Sequence, residues 1–127
     1  MGKTSLVSFD TEAGSRILQI LDKAGLQIKV ALWAILPEYD EWRLVLSSRK
    51  FDSVGTTEAF GLLNAALDGA SYPVELTPTI VILRTTDPLI RTLRKDYGKS
   101  KISPGTHVGG QMLGDRFVED AYAYRIS

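Results

Sequence analysis

A chain of 127 residues, 44% hydrophobic and 24% charged, has the size and composition of one globular domain, residues 1–127, that buries a core without cross-links. Its 15 Lys and Arg balance 15 Asp and Glu, so overall charge points to neither nucleic acid nor a membrane surface, and any electrostatic function must come from local clustering. The lack of Cys excludes disulfide scaffolds, thiol nucleophiles and cysteine zinc sites, and the single His excludes metal sites that need two imidazoles.

Residues 1–9 read as a flexible arm or a short edge strand. Met1–Asp10 carries one Lys and no apolar centre of a leader peptide. The longest apolar run, Val30–Leu36, is too short to span a bilayer. A cytoplasmic location with no membrane partner is the expectation.

The first helix is predicted over Thr11–Ala24, with Asp10 as N-cap and Gly25 as the C′ residue. Ala13, Ile17, Ile20, Leu21 and Ala24 form its apolar stripe. Ile28–Leu36 reads as a strand with Val30, Leu32, Ala34 and Leu36 on one face and Trp33 and Ile35 on the other. Pro37–Glu41 is a polar turn, and Trp42–Ser47 is the return strand of a hairpin. A second helix is expected over Thr57–Asp68, capped by Thr56, with Phe60, Leu63 and Leu67 as its apolar edge. Ser71–Pro78 reads as a loop.

Thr79–Arg84 is apolar on both faces and reads as an interior strand. Asp87-Pro88 supplies an N-cap acid and a proline at N1, starting a third helix that runs to Lys95 with Leu89, Ile90 and Leu93 inward. Tyr97–Gly105 is a polar, basic loop. A second hairpin joins Thr106–Leu113 to Arg116–Ile126 through Gly114-Asp115. The order is therefore α-β-β-α-β-α-β-β, and the fold class is α+β: one mixed sheet of about five strands with helices packed on it.

Three clusters invite a functional reading. Arg84, Arg91, Arg94, Lys95, Lys99 and Lys101 face only Asp87 and Asp96 in the same segment, a local positive patch in a neutral chain. Arg91, Arg94 and Lys95 share a helix face by their spacing, and Tyr97 offers a ring for stacking on a base. A phosphate-bearing ligand, nucleic acid or an acidic protein would fit; so would a plain solvated helix face. His107 stands in a glycine-rich stretch and becomes a general base if a carboxylate orients it. Asp120 is the acid to watch: on a regular strand it shares a face with Val118, Tyr122, Tyr124 and Ile126, where burial would demand a partner. Glu41-Trp42-Arg43 imitates a nuclease triplet only loosely. Gly98-Lys99-Ser100 is no P-loop, because Leu93 stands where that motif needs its first Gly and a helix precedes it.

The segments Ala31–Leu46 (ALWAILPEYDEWRLVL), Asp87–Ile90 (DPLI) and Val118–Arg125 (VEDAYAYR) resemble parts of small bacterial proteins without an assigned activity. The resemblance implies a bacterial, intracellular origin and transfers no site residue. The residues favour a non-catalytic binding module using Arg91, Arg94, Lys95, Lys99 and Lys101, with no cofactor and no metal. The alternatives are a small hydrolase or phosphodiesterase using His107 with Asp120 or another nearby carboxylate, and a homo-oligomer joined through an exposed sheet edge.

Overall fold

The computed structural model describes residues 8–39, 41–98 and 105–127. The predicted arm therefore lies outside them, except where Ser8 opens the first helix. The elements in chain order are α1 (Ser8–Lys23), β1 (Ile28–Ile35), β2 (Trp42–Ser48), α2 (Arg49–Val54), α3 (Thr56–Gly69), a 3-10 turn (Val74–Leu76), β3 (Ile80–Ile82), α4 (Pro88–Tyr97), β4 (Thr106–His107), β5 (Gln111–Leu113), β6 (Arg116–Val118) and β7 (Ala121–Ile126). The fold is α+β, a single compact domain. Five strands form a mixed sheet in the order β3-β2-β1-β7-β4, and β5 and β6 pair separately.

β1 is the central strand, antiparallel to both β2 and β7. Its sequence is apolar on both faces because both faces are covered. Val30, Leu32, Ala34 and Leu36 enter one core with Leu89, Ile90 and Leu93 of α4. Ala31 and Trp33 enter the other with Ile17 and Leu21 of α1, Phe51 of α2 and Leu63 of α3. The sheet thus has α1, α2 and α3 on one side and α4 with the β5–β6 hairpin on the other. Ile28 falls on the Trp33 side against simple alternation, since the β1–β2 register shifts between Ile28 and Val30.

α1 packs close to the sheet at Gly14, where a Cβ would overlap the Tyr124 hydroxyl. That hydroxyl accepts a hydrogen bond from Trp33 Nε1 at 2.9 Å and donates to the Thr11 carbonyl at 2.6 Å. Burial, helped by the nearby charge of Asp10, pushes the Tyr124 phenol up to about 12.

Several expectations need correction. α1 starts at Ser8, so Asp10 sits in its first turn rather than capping it. α2 was not foreseen; it has six residues, one of them buried, too few to show a period, and Ser48 caps it by accepting from Lys50 N. Gly55, not Thr56, precedes α3 as N-cap. The segment read as a loop over Ser71–Pro78 contains the 3-10 turn. Among the described residues β3 is an edge strand, not an interior one: it pairs with β2 alone, in parallel register. It is apolar on both faces because helices flank it on both sides, with Ile80 and Ile82 in one core and Val81 and Leu83 in the other. Asp52 holds its far end, accepting from Thr85 Oγ1 at 2.6 Å and from Thr85 N at 3.2 Å.

The second hairpin forms about Gly114-Asp115, with Gly114 at φ +68°. Its strands break at Val108–Gly110 and at Glu119-Asp120, so the outer parts pair as β4 with β7 and the tips as β5 with β6. The breaks, and a register shift in β7 opposite Ala31 and Leu32, undo the face assigned to Asp120. Val118 and Ile126 are in the α4-side core, whereas Tyr122 and Tyr124 pack on the other side.

Candidate functional site

α4 begins as expected: Asp87 caps it, its Oδ1 accepting from Leu89 N at 3.0 Å, and Pro88 takes the first position. The helix continues past Lys95 to Tyr97. With Leu89, Ile90 and Leu93 buried, helical geometry turns Arg91 and Lys95 directly outward. They line a hollow of about 350 Å³ with Pro88 and Thr92, and neither makes an ion pair or side-chain hydrogen bond with another described residue.

The other described cations of the predicted patch have partners elsewhere. Arg94 leans away, its Nε donating to the Ser127 carbonyl at 2.8 Å. Arg84 reaches the Asp52 carbonyl at 3.4 Å. Tyr97 is half-buried: its ring packs against the core, and its hydroxyl accepts from Gln111 Nε2 at 3.2 Å. Lys99 and Lys101 lie outside the described residues.

Beside α4 on the same side of the sheet stands the β5–β6 hairpin. The two-residue turn pairs Leu113 with Arg116, Met112 with Phe117 and Gln111 with Val118. Leu113 and Val118 point into the core, so alternation sends Met112 and Phe117 outward as one cross-strand apolar pair. They are 58% and 52% exposed. This pair was missed in the sequence, although the turn and the inward Leu113 and Val118 are enough to reveal it.

The hairpin is clamped to α4. A Cβ on Gly114 would overlap the Pro88 backbone, so only glycine lets the turn come this close. Arg116 Nη1 donates to Asp87 Oδ1 at 2.9 Å, and its Nε donates to Glu38 Oε2 at 3.2 Å. Partial burial works against the Arg116 charge, but the Asp87 hydrogen bond and the carboxylates of Asp87, Glu38 and Asp115 prevail and raise its pKa. One arginine therefore ties the hairpin, the start of α4 and the β1–β2 turn together. Beside that turn Arg43 of β2 pairs with Glu41 at 3.0 Å and lies 4.0 Å over the Tyr39 ring.

His107 and Asp120 do meet. His107 Nδ1 is 3.2 Å from Asp120 Oδ1, at the β4 edge of the sheet. Asp120 Oδ1 also accepts from Ala121 N at 2.8 Å. The Tyr122 ring stands edge-on to the imidazole, 5.7 Å between centroids. The two strands approach closely here because Gly109 has no Cβ to strike the Asp120 backbone. The side chains of His107 and Asp120 are 63% and 43% exposed, so the pair is open to water. Two adjoining hollows of about 550 and 510 Å³ lie elsewhere, between α1 and the end of α3, and share Arg16, Gln19 and Ala70.

Among the described residues no three His, Asp or Glu side chains gather to hold a metal ion, and no helix is long and apolar enough to cross a membrane. No protein-family model, curated protein or solved structure matches the chain.

Proposed function

We propose that this protein is a non-catalytic binding module, and that the layer of α4 and the β5–β6 hairpin docks an acidic, partly apolar segment of a partner protein. The observation that carries the reading is the Met112–Phe117 pair, more than half exposed on a hairpin whose other side is core. Arg91 and Lys95, outward and unpaired on the neighbouring helix, supply charge that an acidic partner would complement. Arg116 ties the hairpin to Asp87 and Glu38, contacts that would lower the ordering cost of binding.

A protein partner fits better than nucleic acid. Phosphate backbones reward many cations and exposed aromatic platforms; here Arg84 and Arg94 are engaged and Tyr97 faces the core. The contact between His107 and Asp120 favours one second reading, a hydrolase in which Asp120 orients His107 and Nε2 acts as base. Its openness to water counts against it, since general bases work best in sites that exclude solvent.

Selection of a displayed peptide library on the immobilised protein tests the proposal. The expected winners combine Asp or Glu with one or two apolar anchors. They bind less tightly as salt rises, and lose binding to the Arg91→Glu/Lys95→Glu and the Met112→Ser/Phe117→Ser proteins. Winners without acidic bias that survive both double substitutions would overturn it, as would equal or tighter binding of short oligonucleotides to the same face.

A further inference from the structure

We infer that the trough between α1 and α3 binds a free amphipathic anion, a hydrocarbon chain ending in a carboxylate, with its head at Arg16 and Lys23 and its tail toward Leu76. This site lies across the sheet from the α4–hairpin layer and uses none of its residues. The two hollows of about 550 and 510 Å³ meet at Arg16, Gln19 and Ala70, so they form one trough along α1. From Glu12 to Lys23 it follows about 16 Å of helix. It stays open because Ala65, Ala66, Gly69 and Ala70 stand where larger side chains would fill the space beside α1.

The two ends of the trough differ in chemistry. Arg16, Gln19 and Lys23 succeed one another at spacings of three and four along one face of α1. None of the three has a side-chain partner among the described residues. Arg16 and Lys23 stand about 10 Å apart along the helix axis, and both side chains are long enough to converge on one carboxylate with Gln19 between them. Arg16 can hold it with paired N–H donors. At the other end Pro73 and Leu76 line the wall. Leu76 and Val74 of the same 3-10 turn are 44% and 81% exposed, apolar area that a hydrocarbon tail would cover. Glu12 lines this end as well, and its charge repels a carboxylate there, which fixes the direction in which the ligand lies.

One cationic end and one apolar end match a ligand with a single head. The floor of Ala and Gly offers van der Waals contact without directed hydrogen bonds, which suits a chain of methylenes and not a sugar. A membrane surface fits less well than a free carboxylate. It is broad and rewards clusters of about four or more Lys and Arg, whereas this trough is concave and presents two.

Titration of the full chain with monomeric decanoate, followed by amide chemical shifts, tests the site. The expected shifts lie at Ala13, Arg16, Gln19, Ala66 and Ala70, with α4 and the β5–β6 hairpin unmoved. Octanoate, two methylenes shorter, binds about tenfold more weakly. Arg16→Gln/Lys23→Gln weakens decanoate by about tenfold and leaves decanol, which has no charge, unaffected. Ala66→Leu/Ala70→Leu fills the trough and abolishes binding with the circular dichroism unchanged. Arg91→Glu/Lys95→Glu, on the other side of the sheet, binds decanoate as the wild type does. The absence of any shift at millimolar decanoate would overturn the inference. So would shifts centred on Met112 and Phe117, or a decanoate affinity that survives loss of both Arg16 and Lys23.

Discussion

The α4–hairpin layer and the His107–Asp120 corner both bring charged side chains and aromatic or apolar groups together, yet they are built on opposite plans. In the corner, the polar groups meet one another: Asp120 Oδ1 takes both His107 and the Ala121 amide. In the layer, the groups that satisfy one another lie beneath the surface, where Arg116 bridges Asp87 and Glu38. Among the described residues, what reaches the surface there is unspent: the cations of Arg91 and Lys95 and an apolar pair. A surface offers binding energy through what it leaves unsatisfied, which is why the layer carries the functional proposal.

The comparison can be sharpened by substitution, beginning where the effect is greatest. Gly114→Val puts a side chain into the Pro88 backbone at a left-handed position, and should cost about 3 kcal/mol or more in urea unfolding while lifting the hairpin from α4. Asp87→Ala removes the α4 cap and leaves Arg116 short of a partner, with an expected loss of about 2 kcal/mol. Tyr124→Phe, in the frame that carries both regions, should cost about 1 kcal/mol by unpairing Trp33 Nε1. The same substitution has a pH signature. The Tyr124 phenol ionises at about 12 when folded against an ordinary 10.0, so between those values the unfolded chain loses its proton first. Wild-type stability from this group is full below pH 10 and lost as pH rises toward about 12; in the Phe variant that loss disappears.

At the small end, His107→Ala should change stability by about 0.5 kcal/mol or less, as expected of an exposed pair. A loss of several kcal/mol would show the corner to be a structural clamp and erase the contrast. Met112→Ser/Phe117→Ser should leave the unfolding midpoint within the change expected for surface positions, about 0.5 kcal/mol each, because both side chains face solvent.

Much of the fold can be read from the residues. The apolar run of β1 marks a strand covered twice, the Asp87-Pro88 pair marks the start of α4, and Gly114-Asp115 marks the hairpin turn. β3 was misread for a physical reason: two-sided apolarity reports cover by helices, and an edge strand flanked by helices has the same pattern as a central one. α2 is too short for periodicity to show. The face of Asp120 depended on unbroken alternation, which the breaks and register shift in the last hairpin destroy. Its contact with His107 follows from the β4–β7 register, fixed by long-range pairing. Helical spacing put Arg94 with Arg91 and Lys95, but a tertiary acceptor at Ser127 draws it aside.

The most direct test of the central claim is an amide chemical-shift footprint of the protein with an acidic, apolar-anchored peptide from the library selection. The account predicts shifts confined to α4 around Arg91 and Lys95 and to the hairpin around Met112 and Phe117, with His107 and its neighbours unmoved. A footprint centred on His107, Asp120 and Tyr122, with the α4–hairpin layer silent, would contradict it.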